Sequence, residues 1–457
     1  MEINNLLEKR KIYIFFFFSI IFFTVIFSTK LILYLKGYCN HDILMYSNAL
    51  WNTNILGPLL TTDLNNFSPG ETFLIDHFSP TLLLLYPIYK LIPSPIILLA
   101  IQTIMPVLSG YLILLICKQL KINPLFSLLF CLVYIFNIVN IIGTIDGVYG
   151  FHIDCLVPFF FFLCCYAYLK NKIYLYCLSL FFFLGIKEDI LIYSLAIFLL
   201  NYFYFVFLKK DKNKFKLKIL NFSILISTSL AISSLATAFF LKDSILTPHQ
   251  TNIIEMYSIY NFFYFFLSLK WWLIIFSFFP SLFGFPYFLY AYPFVYNFGT
   301  YYPDIGLSTG FHYTYHWFII LAITCISAII LFHKTHNFSG RKKSILISVT
   351  LFFFIYNFCL GFYKTFSKFN KSLEKPYLHK VKSVKKINSF IPKDTYLFVS
   401  LPIRHKFINR KHIVKNQNNN KIIYAVVLKN NFKPNLNFQK NFSKIHENEE
   451  IIILKKK

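Results

Sequence analysis

Residues 8–36 read EKRKIYIFFFFSIIFFTVIFSTKLILYLK, and this stretch decides the class of protein. Three cations and an acid precede an apolar run that continues to about Leu35. The run exceeds the roughly 7–15 apolar residues of a cleavable signal, and no small-residue cleavage site follows it. About 20 apolar residues suffice to cross the hydrocarbon layer as a helix. The stretch therefore reads as an uncleaved first span with its N-terminus in the cytoplasm.

Outward from that span the same pattern recurs. Further spans are expected near 96–117, 124–142, 153–169, 173–186, 190–208, 219–241, 262–279, 281–298, 314–332 and 344–364, which makes about eleven transmembrane helices. Residues 79–92 are too short for a span and end at Pro93 and Pro95, so they read as re-entrant or interfacial. Hydrophobic residues make up 57% of the 457 and charged residues only 14%, against about 25% charged in soluble domains. Backbone polar groups inside a bilayer must be satisfied within the segment, so the runs are helices. The 58 Phe and 32 Tyr serve packing and lipid contact.

The net charge of +26 does not point to nucleic acid. Lysines collect in short loops between apolar runs: Lys118 and Lys121, Lys170 and Lys172, residues 209–218, and Lys334, Arg341, Lys342 and Lys343. On the expected count all lie on the N-terminal side, where the positive-inside rule puts them. The acids do the reverse. Between residues 12 and 363 only Asp211 falls in such a loop, and the others map to the opposite face. Of the nine cysteines, Cys39 stands alone in a loop and the rest lie in or beside apolar segments as small hydrophobes. They support neither a disulfide framework nor a zinc site.

Four clusters gather on the outer face. His41-Asp42 opens residues 43–54, whose Leu44, Ala49, Leu50 and Trp51 outline the apolar face of a helix lying along the interface. Asp76-His77-Phe78-Ser79-Pro80 opens the re-entrant segment, Phe151-His152-Ile153-Asp154 stands at the mouth of the fourth span, and Lys187-Glu188-Asp189 joins the fifth and sixth. Each has a plainer reading. Asp76 or Ser79 serves as a helix cap, His152 as a partner for a neighbouring helix, and residues 187–189 as a solvated turn. Convergence of four such groups on one face is harder to explain as structure alone, because ionisable groups at membrane depth are costly. No GxSxG, HExxH or P-loop pattern competes.

The chemistry available is limited and specific. A carboxylate at the interface can act as general base toward a hydroxyl or amine. Carboxylates with His can hold a divalent cation, Mg or Mn, for which Asp76, His77 and Asp154 are the candidate ligands. Lys187 can pair with a phosphate leaving group. These parts suit sugar transfer from a polyprenyl-phosphate donor, whose phosphate lies at headgroup level.

The four clusters in this order resemble a family of uncharacterised multi-pass prokaryotic membrane proteins that is similar to the GT-C superfamily of glycosyltransferases. His312-Tyr313 before a late span and Ile391-Pro392-Lys393-Asp394 with the following 404–410 segment extend the resemblance over nearly the whole chain. It implies a catalytic Asp in the first outer loop (37–95), a position that Asp42 matches best and Asp76 second. With Asp42 and Asp76 in those roles, His41, His77, His152, Lys187, Glu188 and Asp189 are the expected substrate-binding residues. The family commonly carries an acid two residues before the His of the third cluster, where this chain has Gly150.

Past residue 364 the chain turns polar. Residues 377–390 are expected as a basic helix, and 396–400, 422–428 and 451–454 as short strands. The expected whole is an all-α polytopic bundle (1–364) with a small basic α/β domain outside the membrane (365–457). It sits in the cytoplasmic (inner) membrane with membrane lipids and a polyprenyl-phosphate-linked sugar as partners. A lipid or glycan transporter or flippase, or a non-catalytic envelope scaffold, is the alternative.

Overall fold

The computed structural model describes residues 2–38, 42–55, 59–61, 72–75, 78–145, 150–204, 206, 213–241, 314–335, 340–375, 391–392, 395–399, 413–414, 422–428, 441–447 and 451–457. Elements are numbered over these residues. The protein is mostly helical: α1 Glu2–Leu35, α2 Asp42–Asn52, α3 Tyr86–Leu91, α4 Pro95–Gln119, α5 Pro124–Ile135, α6 Ile138–Ile145, α7 Val157–Leu169, α8 Ile173–Leu184, α9 Glu188–Phe203, α10 Lys214–Leu241, α11 Thr314–Lys334 and α12 Gly340–Glu374. Short 3-10 turns at Phe73–Ile75, Pro80–Leu85 and Ile153–Leu156 precede α3 and α7.

Five helical stretches among the described residues are long and apolar enough to cross a membrane: Arg10–Leu35, Pro95–Gln119, Pro124–Ile145, Lys214–Thr237 and Lys343–Glu374. Shorter apolar helices run over Ile153–Leu169, Ile173–Leu184, Ile190–Phe203 and Ile319–Lys334. The spans expected at 262–279 and 281–298 lie outside the described residues. Local start signals explain several boundaries. Ser94 accepts from the Ile96 amide ahead of Pro95, and Asn123 from the Leu125 amide ahead of Pro124. Asn213 likewise accepts from the Phe215 and Lys216 amides. A side-chain acceptor followed by Pro or an apolar run satisfies the orphan amides of a first turn.

The third expected span, 124–142, is two helices. The chain breaks at Phe136-Asn137, where the Asn137 side chain accepts from the Val139 amide and Asn140 donates to the Tyr134 carbonyl. Helix α12 packs across this break, with Gly361 set against the Phe136 carbonyl. Edge-to-face contacts of Phe136 with Phe22 and Phe358, at 5.4 and 5.3 Å between centroids, knit α1, α5 and α12 together. Much of the Phe content is thus helix-packing surface.

The two ends of the bundle differ. At one, His333 Nδ1 lies 2.8 Å from the Leu120 carbonyl, Phe332 packs on Phe126 at 4.4 Å, and Phe215 lies 6.2 Å from Tyr168. These contacts gather the turns carrying Lys118, Lys121, Lys170, Lys172, Lys214, Lys218 and Lys334 toward one end. At the other, Lys36 just past α1 donates to the carbonyls of Ser372, Leu373 and Lys375, and Lys375 lies over the Tyr38 ring at 4.5 Å. A cation on the last carbonyls of α12 satisfies orphan acceptors and offsets the helix dipole. Lys36→Met is expected to lower stability by about 2 kcal/mol, read as an earlier transition on titrating the detergent-solubilised protein with a denaturing detergent.

The tail holds a five-stranded sheet in the order β2-β1-β3-β5-β4, with β1 Leu397–Val399, β2 Ile413–Val414, β3 Tyr424–Leu428, β4 Phe442–Glu447 and β5 Ile451–Lys456. Strand β1 runs parallel to β2 and β3, whereas β5 is antiparallel to both β3 and β4. Alternation buries Leu397 and Val399, and likewise Ile451 and Ile453, as a half-covered sheet requires. The basic helix expected at 377–390 falls outside the described residues.

Candidate functional site

Residue 42 is the first of α2, and its carboxylate therefore sits where the positive end of the helix dipole favours it. Residues 42–50 are all buried. This corrects the expected interfacial helix, because α2 has no free polar face and is enclosed by its neighbours. Tyr46 packs between Phe73 and Phe151, each at 5.3 Å. Lys90 of α3 donates to the Trp51 carbonyl at 2.6 Å and lies over the Trp51 and Tyr86 rings. Desolvation there lowers the Lys90 pKa below the usual lysine value.

The third cluster closes on Asp42. His152 is extended, with φ −132° and ψ 137°, and leads into the turn Ile153–Leu156. Its Nδ1 stands 3.6 Å from Asp42 Oδ2. That separation makes an electrostatic contact rather than a hydrogen bond. The Asp42 side chain keeps 12% of its surface accessible and that of His152 5%, so the carboxylate is the more reachable member. Asp154 is buried two residues on. Gly150 has φ +86°, a conformation that an acid side chain at this position would strain.

Two residues that sequence reading passed over hold this corner in place. Gln102 of α4 accepts from the His152 amide at 3.3 Å and donates to the Gly143 carbonyl at 2.9 Å. Lys30, wholly buried in α1, donates to the Thr144 carbonyl at 2.6 Å and lies within electrostatic reach of the Cys155 thiol. The signal was present in each case: one amide and one ammonium within apolar runs. An amino group enclosed in a membrane span carries a desolvation cost and is normally retained for a site.

The second and fourth clusters also meet. Glu188 Oε2 accepts from the Phe78 amide at 3.2 Å, and Ser79 donates to the Ile186 carbonyl at 2.7 Å. Thr81 donates to Phe182, and its own amide to Gly185. Ser79 stands at the N-cap position of the Pro80–Leu85 turn but makes no capping bond, since its hydroxyl crosses to the turn between α8 and α9. Residues 187–189 are not a free turn either. Lys187, buried, precedes α9, and Glu188 and Asp189 form its first turn. His41, Asp76 and His77, and the side chain of Asp189, lie outside the described residues. Among the described residues no three His, Cys, Asp or Glu side chains come together as metal ligands. The expected cation site rests on Asp154 together with two residues that are not described.

Residues 33–400 match the family described as "Predicted membrane protein (DUF2079)". The chain belongs to that family. The match takes in all four clusters and most of the helical bundle, and this DUF2079 protein is an integral membrane protein. No curated protein matches it in sequence. Among solved structures it is similar to ArnT from Cupriavidus metallidurans, a crystal structure bound to undecaprenyl phosphate. The TM-score is 0.55 at 9% identity, over 97% of this chain and 97% of that one. At that identity the likeness is one of fold.

Proposed function

We propose that this DUF2079 protein is a membrane glycosyltransferase that moves a sugar from a polyprenyl-phosphate donor to an acceptor at the carboxylate end of the bundle. The observation that carries the reading is the Asp42–His152 contact. A largely buried carboxylate, with 12% of its side-chain surface still open, begins the first helix after the first span, where the GT-C resemblance expects a catalytic acid, and it stands against an imidazole on a separate element. The fold shared with a protein bound to undecaprenyl phosphate supports a polyprenyl lipid as donor.

In this mechanism Asp42 takes the proton of an acceptor hydroxyl. The acceptor oxygen bonds to the anomeric carbon of the sugar, and the bond from that carbon to the phosphate oxygen breaks. Polyprenyl phosphate leaves with the electron pair, and Asp42 later releases its proton to water. Lys187 faces the departing phosphate as its counter-charge. His41, His77 and His152 contact the substrate, Asp76 is the second carboxylate, and Glu188 and Asp189 frame the rim. A divalent cation held by Asp76, His77 and Asp154 belongs to the same proposal, and no step is assigned to it. The lysine end faces the cytoplasm by the positive-inside rule, which puts the reaction on the extracytoplasmic side of the inner membrane.

Vesicles containing the purified protein, a polyprenyl-phosphate sugar and an extract of envelope glycans test this reading by mass spectrometry. Transfer yields sugar-free polyprenyl phosphate and a heavier acceptor. A donor lipid that changes leaflet with its covalent structure intact makes the protein a flippase and overturns the proposal.

A further inference from the structure

At the lysine end, one face of α10 borders a cavity of about 480 Å³ lined by Lys214, Leu217, Lys218, Asn221, Phe222 and Leu225. The residues recur at helical spacing and fall into order along the axis. Lys214 and Lys218 stand one turn apart with Leu217 between them, Asn221 follows, and the face ends at half-buried Phe222 and at Leu225, which is 60% exposed. From Lys214 to Leu225 the helix rises about 16 Å, comparable with the depth from a phospholipid headgroup to its upper acyl chains. Lys214 starts the helix, so its dipole adds positive potential at the same place. The contact of Tyr168 with Phe215 brings the turn bearing Lys170 and Lys172 alongside. Two lysines at this spacing repel each other, and no described carboxylate lies in the cavity. The acid nearest in sequence, Asp211, lies outside the described residues.

We propose that this cavity binds the headgroup of an anionic phospholipid, with the phosphate between Lys214 and Lys218 and an acyl chain along Phe222 and Leu225. Charge complementarity selects the occupant: a zwitterionic headgroup brings its own cation to two lysines, whereas an anionic one relieves their repulsion. Basic pockets on membrane helices at headgroup level take anionic lipids for this reason. The site is at the opposite end of the bundle from Asp42 and does not depend on the proposed reaction.

The test uses the full chain in neutral detergent, mixed with phosphatidylglycerol or phosphatidylcholine, and measures lipid retained after gel filtration by mass spectrometry. Phosphatidylglycerol is expected to be retained in preference. Lys214→Gln with Lys218→Gln is expected to lower that retention by on the order of 20-fold, about fivefold for each lysine near an anionic group. Lys118→Gln with Lys121→Gln removes the same charge from the same end and is expected to leave retention unchanged. Equal loss in this control pair makes the attraction a diffuse surface effect and overturns the site. Displacement of the lipid by inorganic phosphate makes it a free-anion site and overturns the lipid assignment, as does unchanged retention in the first pair.

Discussion

Asp42→Asn in membranes is expected to lower sugar transfer by roughly 10²–10⁴-fold, the usual scale for loss of a positioned general base. Asn keeps the size of the side chain and can still lie at the start of α2, but it cannot accept the proton of an acceptor hydroxyl. The stability cost is much smaller. Losing the carboxylate from the first turn of a helix costs about 0.3–1 kcal/mol, and the 3.6 Å contact with His152 adds little at that separation. The variant should therefore reach the membrane in normal amounts with unchanged protease accessibility. Full transfer activity in such a preparation would remove Asp42 from the mechanism.

The second large effect concerns the fold. In Gly361→Ala the new Cβ would run into the Phe136 carbonyl oxygen. That oxygen is backbone at the break between α5 and α6, so it cannot swing aside, and α12 must move away. Overpacking usually costs about 1–3 kcal/mol, and a clash with backbone belongs at or above the top of that range. Gly110→Ala provides the comparison. Its Cβ meets Ile135 Cδ1 at 2.8 Å and Cys131 Sγ at 3.0 Å, which are side-chain atoms able to shift, for an expected cost near the bottom of the same range. Unfolding in a denaturing detergent should rank Gly361→Ala well below Gly110→Ala. Equal stability would show that α12 does not approach Phe136 this closely.

Small residues let membrane helices come together because lipid tails are as apolar as the side chains, leaving close packing to do the work. Nothing near Gly361 in sequence names Phe136 as its neighbour. The same gap explains the other surprises. Ser79 sits ahead of Pro80 as a helix cap would, but its hydroxyl finds the Ile186 carbonyl more than a hundred residues away. Residues 43–54 have the spacing of an interfacial helix, yet Tyr46, Ser47 and Asn48 on the other side are buried too. Lys30 lies near the end of a span, where a lysine commonly extends its head to water, and instead turns inward to Thr144.

What could be read from the chain alone was whatever depends on free energy summed over a contiguous segment. Apolar length makes a membrane helix, Asn or Ser before Pro starts one, alternating Val and Ile make strands, and lysine in the turns marks one end of the bundle. That was sufficient for a helical membrane protein, and it set the expectation that carboxylates gather opposite the lysines. Tertiary structure alone decided which of those groups touch. Asp42 meets His152, Glu188 holds the Phe78 amide, and Gln102 and Lys30 support the corner from within the span. The reason is physical: inside a low-dielectric bundle a buried polar group must find a partner, and that partner is set by how helices pack, not by what stands beside it in the sequence.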